Sequence, residues 1–193
     1  MFKTQLSGKY SPENTSLFAL KRRLVDMGFD VVFPAGDTVL EYVNEFAITV
    51  PHERTTPFHN TQSAFLGEVA KNPLHIVYNI REGIEGYIGE SAATEIAYAL
   101  SLDKPILRLR ENILFGERVP EELREIVLKN IPHITVQELD KMTPDEVLES
   151  LRDHASRETK YWLTEKEKAV VLQFVRLLNE KYENAWNLFQ RQQ

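Results

Sequence analysis

Short apolar runs alternate with amphipathic stretches over the first two-thirds of the chain. Phe2–Leu6 reads as an extended segment, and Ser7-Gly8-Lys9-Tyr10 as the loop that follows it. Ser11 suits a helix N-cap and Pro12 the first helical position. Leu17, Leu20, Leu24 and Met27 then recur at the spacing of one helix face. Gly28 stands where a helix end favours a left-handed residue. Phe29–Phe33 predicts a buried strand stopped by Pro34, and Thr38–Phe46 predicts a second helix. Thr49–Asn60 carries Pro51 and Pro57 among polar neighbours and reads as a long loop, a lid candidate. A helix over Thr61–Lys71 leads into Leu74–Ile80, the clearest strand of the chain. A loop with Gly83, Gly86 and Gly89 comes next, then a helix over Ser91–Leu102 and a strand over Pro105–Arg110. A helix from Val119 through Lys129 and a short last strand over His133–Val136 complete this part.

Strands separated by helices in this way predict an α/β fold: a five-stranded parallel sheet of the flavodoxin or Rossmann-like class, with helices on both faces. This domain occupies residues 1–140. Residues 141–193 then read as a C-terminal helical extension. Thr143-Pro-Asp-Glu146 and Thr164-Glu-Lys-Glu167 each fit the capping box, in which threonine and glutamate satisfy each other's backbone donors. The last helix runs to about Phe189, with an apolar stripe at Val171, Phe174, Leu178, Tyr182, Ala185 and Phe189. That stripe has two readings, packing on its own domain or forming the interface of a homo-oligomer.

Composition narrows the classes of function. The 193 residues are 42% hydrophobic and 27% charged with a net charge of -6, which suits one globular domain with a helical appendage. The chain has no cysteine, so disulfides, thiolate metal clusters and cysteine nucleophiles are excluded. No apolar run approaches the roughly 18 residues of a membrane span, and Met1–Gly8 has no signal-peptide pattern. A cytoplasmic protein without a membrane partner is expected. The acidic balance argues against duplex nucleic acid as a partner; residues 143–193 hold eight Lys/Arg against nine Asp/Glu. His52, His59, His75, His133 and His154 show no metal-ligand spacing, and neither a dinucleotide nor a P-loop fingerprint is present. No cofactor and no metal are expected.

The candidate chemistry lies after the central strand. In an open parallel sheet, ligands bind beyond the carboxyl ends of the strands. The stretch Glu82–Leu100 sets three glycines in a loop and the carboxylates Glu85, Glu90 and Glu95 just ahead of or at a helix start, with Glu95 in the first turn or so. Glycine allows close backbone approach, and a helix start favours an anion. A carboxylate held ionised there by the helix field suits a nucleophile at a sugar carbon. Glutamate at helix starts is also common decoration, and spacing alone favours that reading over a nucleophile. Glu90, directly after Gly89, is an alternative reactive carboxylate.

The run from Val77 to Leu107 combines a hydrophobic strand, the loop Gly86-Tyr-Ile-Gly89, the helix segment Glu95-Ile-Ala-Tyr-Ala-Leu100 and Lys104-Pro105 before the next strand. With Ser7-Gly8 after the first strand and FDVVFP after the first helix, it resembles the nucleoside 2-deoxyribosyltransferase-like superfamily. That group includes deoxynucleoside 5'-monophosphate N-glycosidases. The resemblance implies that Glu95 attacks the anomeric carbon of a 2'-deoxyribosyl group, and that Glu85 protonates the departing base. It further implies that Ser7, Gly8 and Lys9 face the sugar or a 5'-phosphate, with Asn79 near the ring and Gly86 and Gly89 lining the ligand loop. The expected partner is a small-molecule nucleoside or nucleotide. The opposing expectations are a nucleotide-binding sensor that has lost the chemistry and a scaffold that docks partners on the terminal helix.

Overall fold

The computed structural model describes residues 2–8, 15–32, 39–43, 46–50, 61–81, 83–128, 134–157 and 163–192. Strand β1 (Phe2–Gly8) leads through helix α1 (Thr15–Asp26) to β2 (Phe29–Val32). A hairpin of β3 (Val39–Val43) and β4 (Phe46–Val50) precedes α2 (Thr61–Lys71) and the central strand β5 (Leu74–Tyr78). The short strands β6 (Ile80–Arg81), β7 (Ile84–Glu85) and β8 (Tyr87–Ile88) carry the chain to α3 (Glu90–Ser101). Next come β9 (Ile106–Arg108), β10 (Leu114–Phe115) and the helices α4 (Glu121–Leu128), α5 (Val136–Leu139), α6 (Pro144–Arg157) and α7 (Glu165–Gln192).

The main sheet is parallel and four-stranded, in the order β2-β1-β5-β9. Strand alternation sorts its side chains onto two faces. Leu6, Leu74, Ile76, Tyr78 and Leu107 pack with Leu17, Leu20 and Leu24 of α1, and with Val147 and Leu151 of α6. Val77 and Ile106 face the other way, onto Val69 of α2, Ile96 and Ala97 of α3, Leu123 of α4 and Val171 of α7. Helices therefore cover both faces, and the segment after residue 140 contributes to both cores. Val171 and Leu178 of the predicted stripe are buried, while Leu172 and Leu177 on the same helix are exposed. Among the described residues, no helix is long and apolar enough to cross a membrane.

Three sequence expectations are corrected. The predicted helix over Thr38–Phe46 is instead the β3–β4 hairpin, antiparallel with Val43 opposite Phe46 and Val39 opposite Val50. The β-branched residues Val39, Val43, Ile48, Thr49 and Val50 lose side-chain freedom in a helix and favour a pleated ladder. Thr49 and Val50, assigned to the long loop, end β4; the rest of that lid candidate, 51–60, lies outside the described residues. The fifth strand predicted at His133–Val136 is also absent from the described part of that segment. Ile134 donates a single hydrogen bond to the Arg108 carbonyl at 3.3 Å, and Val136 begins α5. Here the local chemistry favours a helix start. The Thr135 amide and hydroxyl donate to Glu138 at 2.7 and 2.8 Å, and the Glu138 amide donates back to Thr135. Thr135-Val-Gln-Glu138 is a third capping box, and its spacing was available in the sequence.

The two capping boxes that were expected are both formed. The Thr143 amide donates to Glu146 at 2.7 Å, which with the hydroxyl bond holds the Glu146 carboxyl below the usual carboxylate range. Thr164 and Glu167 repeat the geometry at the start of α7. Thr164→Ala should therefore cost about 1 kcal/mol. A urea unfolding curve checks this, and an unchanged midpoint would show that the box contributes nothing. Gly28 ends α1 with φ +95, the left-handed conformation expected there.

Candidate functional site

The strand order reverses between β1 and β5. β1 leads to β2 on one side, and the chain then returns to place β5 on the other. At such a reversal the connections leave in opposite directions and open a crevice beyond the carboxyl ends of the two strands. Those ends are Ser7-Gly8 and Tyr78, with Ser7 opposite Val77 and Gly8 opposite Tyr78.

Gln5 and Ser7 alternate onto the face covered by α2 and α3. Gln5 Nε2 donates to the Phe65 carbonyl of α2 at 3.0 Å, and Ser7 Oγ donates to Glu95 Oε2 of α3 at 2.5 Å. Side chains on a helix tilt toward its N-terminus, so the Glu95 carboxyl leans toward the crevice end of the sheet. Both partners are nearly sealed, with 1% of Ser7 and 5% of Glu95 exposed. Burying a carboxylate is costly unless hydrogen bonds receive it, and the Ser7 hydroxyl supplies one.

Because α3 begins at Glu90, Glu95 lies in its second turn rather than its first. The helix field fades within the first turn. Ser7 gives the carboxyl a hydrogen-bond donor at a depth where the helix field is weak. Ser7 itself, expected to face the sugar, is turned onto Glu95 and orients it.

The other expected site residues are placed as follows. Asn79 is fully buried; its Nδ2 donates to the carbonyls of Arg110 and Asn112 at 3.0 and 3.2 Å, and its Oδ1 accepts from the Arg110 amide at 3.0 Å. Its side chain therefore organises the loop after β9 rather than presenting itself to a ring. Gly86 has φ +84, and a Cβ there would lie 2.5 Å from the Asn112 carbonyl oxygen. The same loop packing thus requires glycine at 86. Gly89 caps α3 in extended conformation, with the Tyr87 ring 3.5 Å from where a Cβ would be. At Gly8 a Cβ would meet Tyr78 Cβ at 3.1 Å, so the end of β1 sits tightly against β5. Lys9 lies outside the described residues.

Glu85 is exposed on the β6–β7 pair and binds Arg110 Nε at 2.9 Å. Glu90, the alternative reactive carboxylate, is ion-paired with Lys181 of α7. That pairing leaves Glu95, among the described residues, as the carboxylate buried at the strand reversal. Among the described residues, no three His, Asp or Glu come together as metal ligands.

Sequence reasoning missed two features here, the Ser7–Glu95 bond and the Lys181–Glu90 pair. His75, expected as a satisfied residue of a buried strand, is buried beside Gln5, but neither ring nitrogen has a hydrogen-bond partner among the described residues. Strand alternation places Gln5 and Ser7 on one face, but nothing local says which helix covers it. No protein-family model matches this chain, and the comparison with curated proteins found no match.

Proposed function

We propose that this protein cleaves or exchanges the N-glycosidic bond of a 2'-deoxynucleoside or its 5'-monophosphate, with Glu95 as the nucleophile. The supporting observation is the buried Glu95 carboxyl, held by Ser7 at the carboxyl end of β1, where the strand order reverses. The likeness of Gly86–Gly89, Glu95–Leu100 and Lys104-Pro105 to the nucleoside 2-deoxyribosyltransferase-like superfamily supports the same reading.

In this reading a Glu95 oxygen bonds to C1' of the sugar. The C1'–N bond breaks, its electron pair leaves with the base, and an acid protonates the base. Water or a second base then attacks C1' from the vacated side and releases the Glu95 carboxylate, so configuration is retained over two steps. Glu85 is the acid this reading expects, and it must leave its pair with Arg110 to reach a bound base. The first step needs an oriented carboxylate shielded from bulk water, and the Ser7 bond and the burial of Glu95 supply both.

Incubating the full chain with a panel of deoxynucleosides and their monophosphates, and following free base by chromatography, tests this. Release of base from at least one substrate is expected. If none is cleaved while a nucleotide still raises the melting temperature, the protein is a nucleotide sensor instead.

A further inference from the structure

Consecutive residues of α7 meet consecutive residues at the start of α3. Lys181 Nζ pairs with the Glu90 carboxylate, and the Tyr182 hydroxyl lies 3.4 Å from Ser91 Oγ. Glu90 and Ser91 are the first two residues of α3, and Glu90 is only 17% exposed in its pair. Ser91 stands four residues before Glu95, so the two share one helix face. The Glu95 side chain leans over the turn that Ser91 occupies. Tyr182 thus meets Ser91, and Ser7 meets Glu95 one turn further along the same helix.

Packing is a sufficient reason for α7 to lie on α3: Val171 belongs to the same apolar core as Ile96 and Ala97. Apolar packing does not account for the polar ends of Lys181 and Tyr182 falling on Glu90 and Ser91. Their contacts fall at the one end of α3 that faces the crevice.

We infer that Tyr182 is a positioning residue for Glu95, with Lys181 anchoring the same helix start, so that the C-terminal helix α7 is part of the site apparatus. This deepens the glycosidic reading and rests on it for the catalytic consequence, while the structural coupling stands by itself. The Tyr182 phenol beside Ser91 and the Lys181 ammonium on Glu90 fix the first turn of α3, and with it the placement of the carboxyl one turn further on.

The test uses the full chain with 13C-labelled glutamate and follows the Glu95 carboxyl by NMR titration in wild type, Tyr182→Phe and Ser91→Ala. The control resonance is Glu68 on α2, whose carboxyl a hydrogen bond from Lys71 holds low. Tyr182→Phe should move the Glu95 midpoint by about half a pH unit, a change of order one weak hydrogen bond. Glu68 should stay unmoved, as should the thermal midpoint within about 4 °C. Where wild type releases base, kcat should fall about tenfold at unchanged KM. An unmoved Glu95 titration in both variants overturns the inference. A Glu95 midpoint that moves in a protein that cleaves nothing upholds the coupling and removes the glycosidic reading, so the two fail separately. If Tyr182→Phe does not fold, Ser91→Ala alone decides the outcome by the same readout.

Discussion

Glu95→Gln is expected to abolish base release, by roughly 10⁴-fold or more in kcat, the scale on which loss of a nucleophile registers. That factor corresponds to about 5 kcal/mol of barrier. The amide keeps the shape of the side chain and an oxygen for the Ser7 hydroxyl to donate to, but it cannot form the glycosyl ester. The fold should therefore persist, with the thermal midpoint within about 4 °C of wild type. Ser7→Ala separates the roles within the pair. The Ser7 hydroxyl donates to Glu95 at 2.5 Å, and a hydrogen bond to a charged group is worth roughly 1.5–3 kcal/mol. Losing it should slow base release by roughly 10- to 150-fold without abolishing it. Two results would move the chemistry elsewhere. Activity retained in Glu95→Gln removes the carboxylate from the reaction. A Ser7→Ala loss as large as that of Glu95→Gln makes the serine the nucleophile and the glutamate its base.

His75 should dominate the acid sensitivity of the fold. It lies on the central strand, with Gln5 opposite it on β1 and Ile106 on β9, and only 2% of it is exposed. Neither ring nitrogen has a hydrogen-bond partner among the described residues, and Gln5 Oε1 beside it has none either. Burial in these surroundings pushes the imidazole down from its ordinary 6.5 to about 3. The folded chain thus refuses a proton that the unfolded chain accepts. This contribution is complete above about pH 6.5 and is lost as pH falls toward 3, at a total of roughly 5 kcal/mol. Urea unfolding of wild type and His75→Leu at pH 7, 5.5 and 4 measures the effect. The stability of the wild type should fall more steeply with acid, by about 3 kcal/mol relative to the variant at pH 4. Parallel pH profiles for the two proteins would show that His75 does not carry the acid response.

Both predictions depend on which face of β1 and β5 each residue occupies. Ser7 and Glu95 are 88 positions apart in sequence, and Tyr182 and Ser91 are 91 apart. The residues themselves were recognisable. Glu95 was a candidate from its place after a glycine loop, and Ser7 from its place after the first strand. What they do to each other was not recognisable. The expectation put Ser7 on the sugar and left the helix field to hold Glu95, whereas the sheet brings β1 under α3 and turns the serine onto the carboxylate. Asn79 and Gly86 show the same shift. Their residue types suggested ligand contact, yet the loop at 110–112 folds back and occupies both.

Local chemistry by itself determined the helix starts at Thr143 and Thr164 and the helix end at Gly28. Each is decided by atoms within four residues of one another. Runs such as Leu74–Tyr78 and Ile106–Arg108 were likewise marked as strands by their own apolar continuity. Tertiary structure decided the rest: the hairpin at 39–50, the four-strand rather than five-strand sheet, and the partners of Glu95, Glu85 and Glu90. Those outcomes turn on strand order, register and the helix that lands on each face. They are set by burial summed over the whole chain, which no short window of sequence contains.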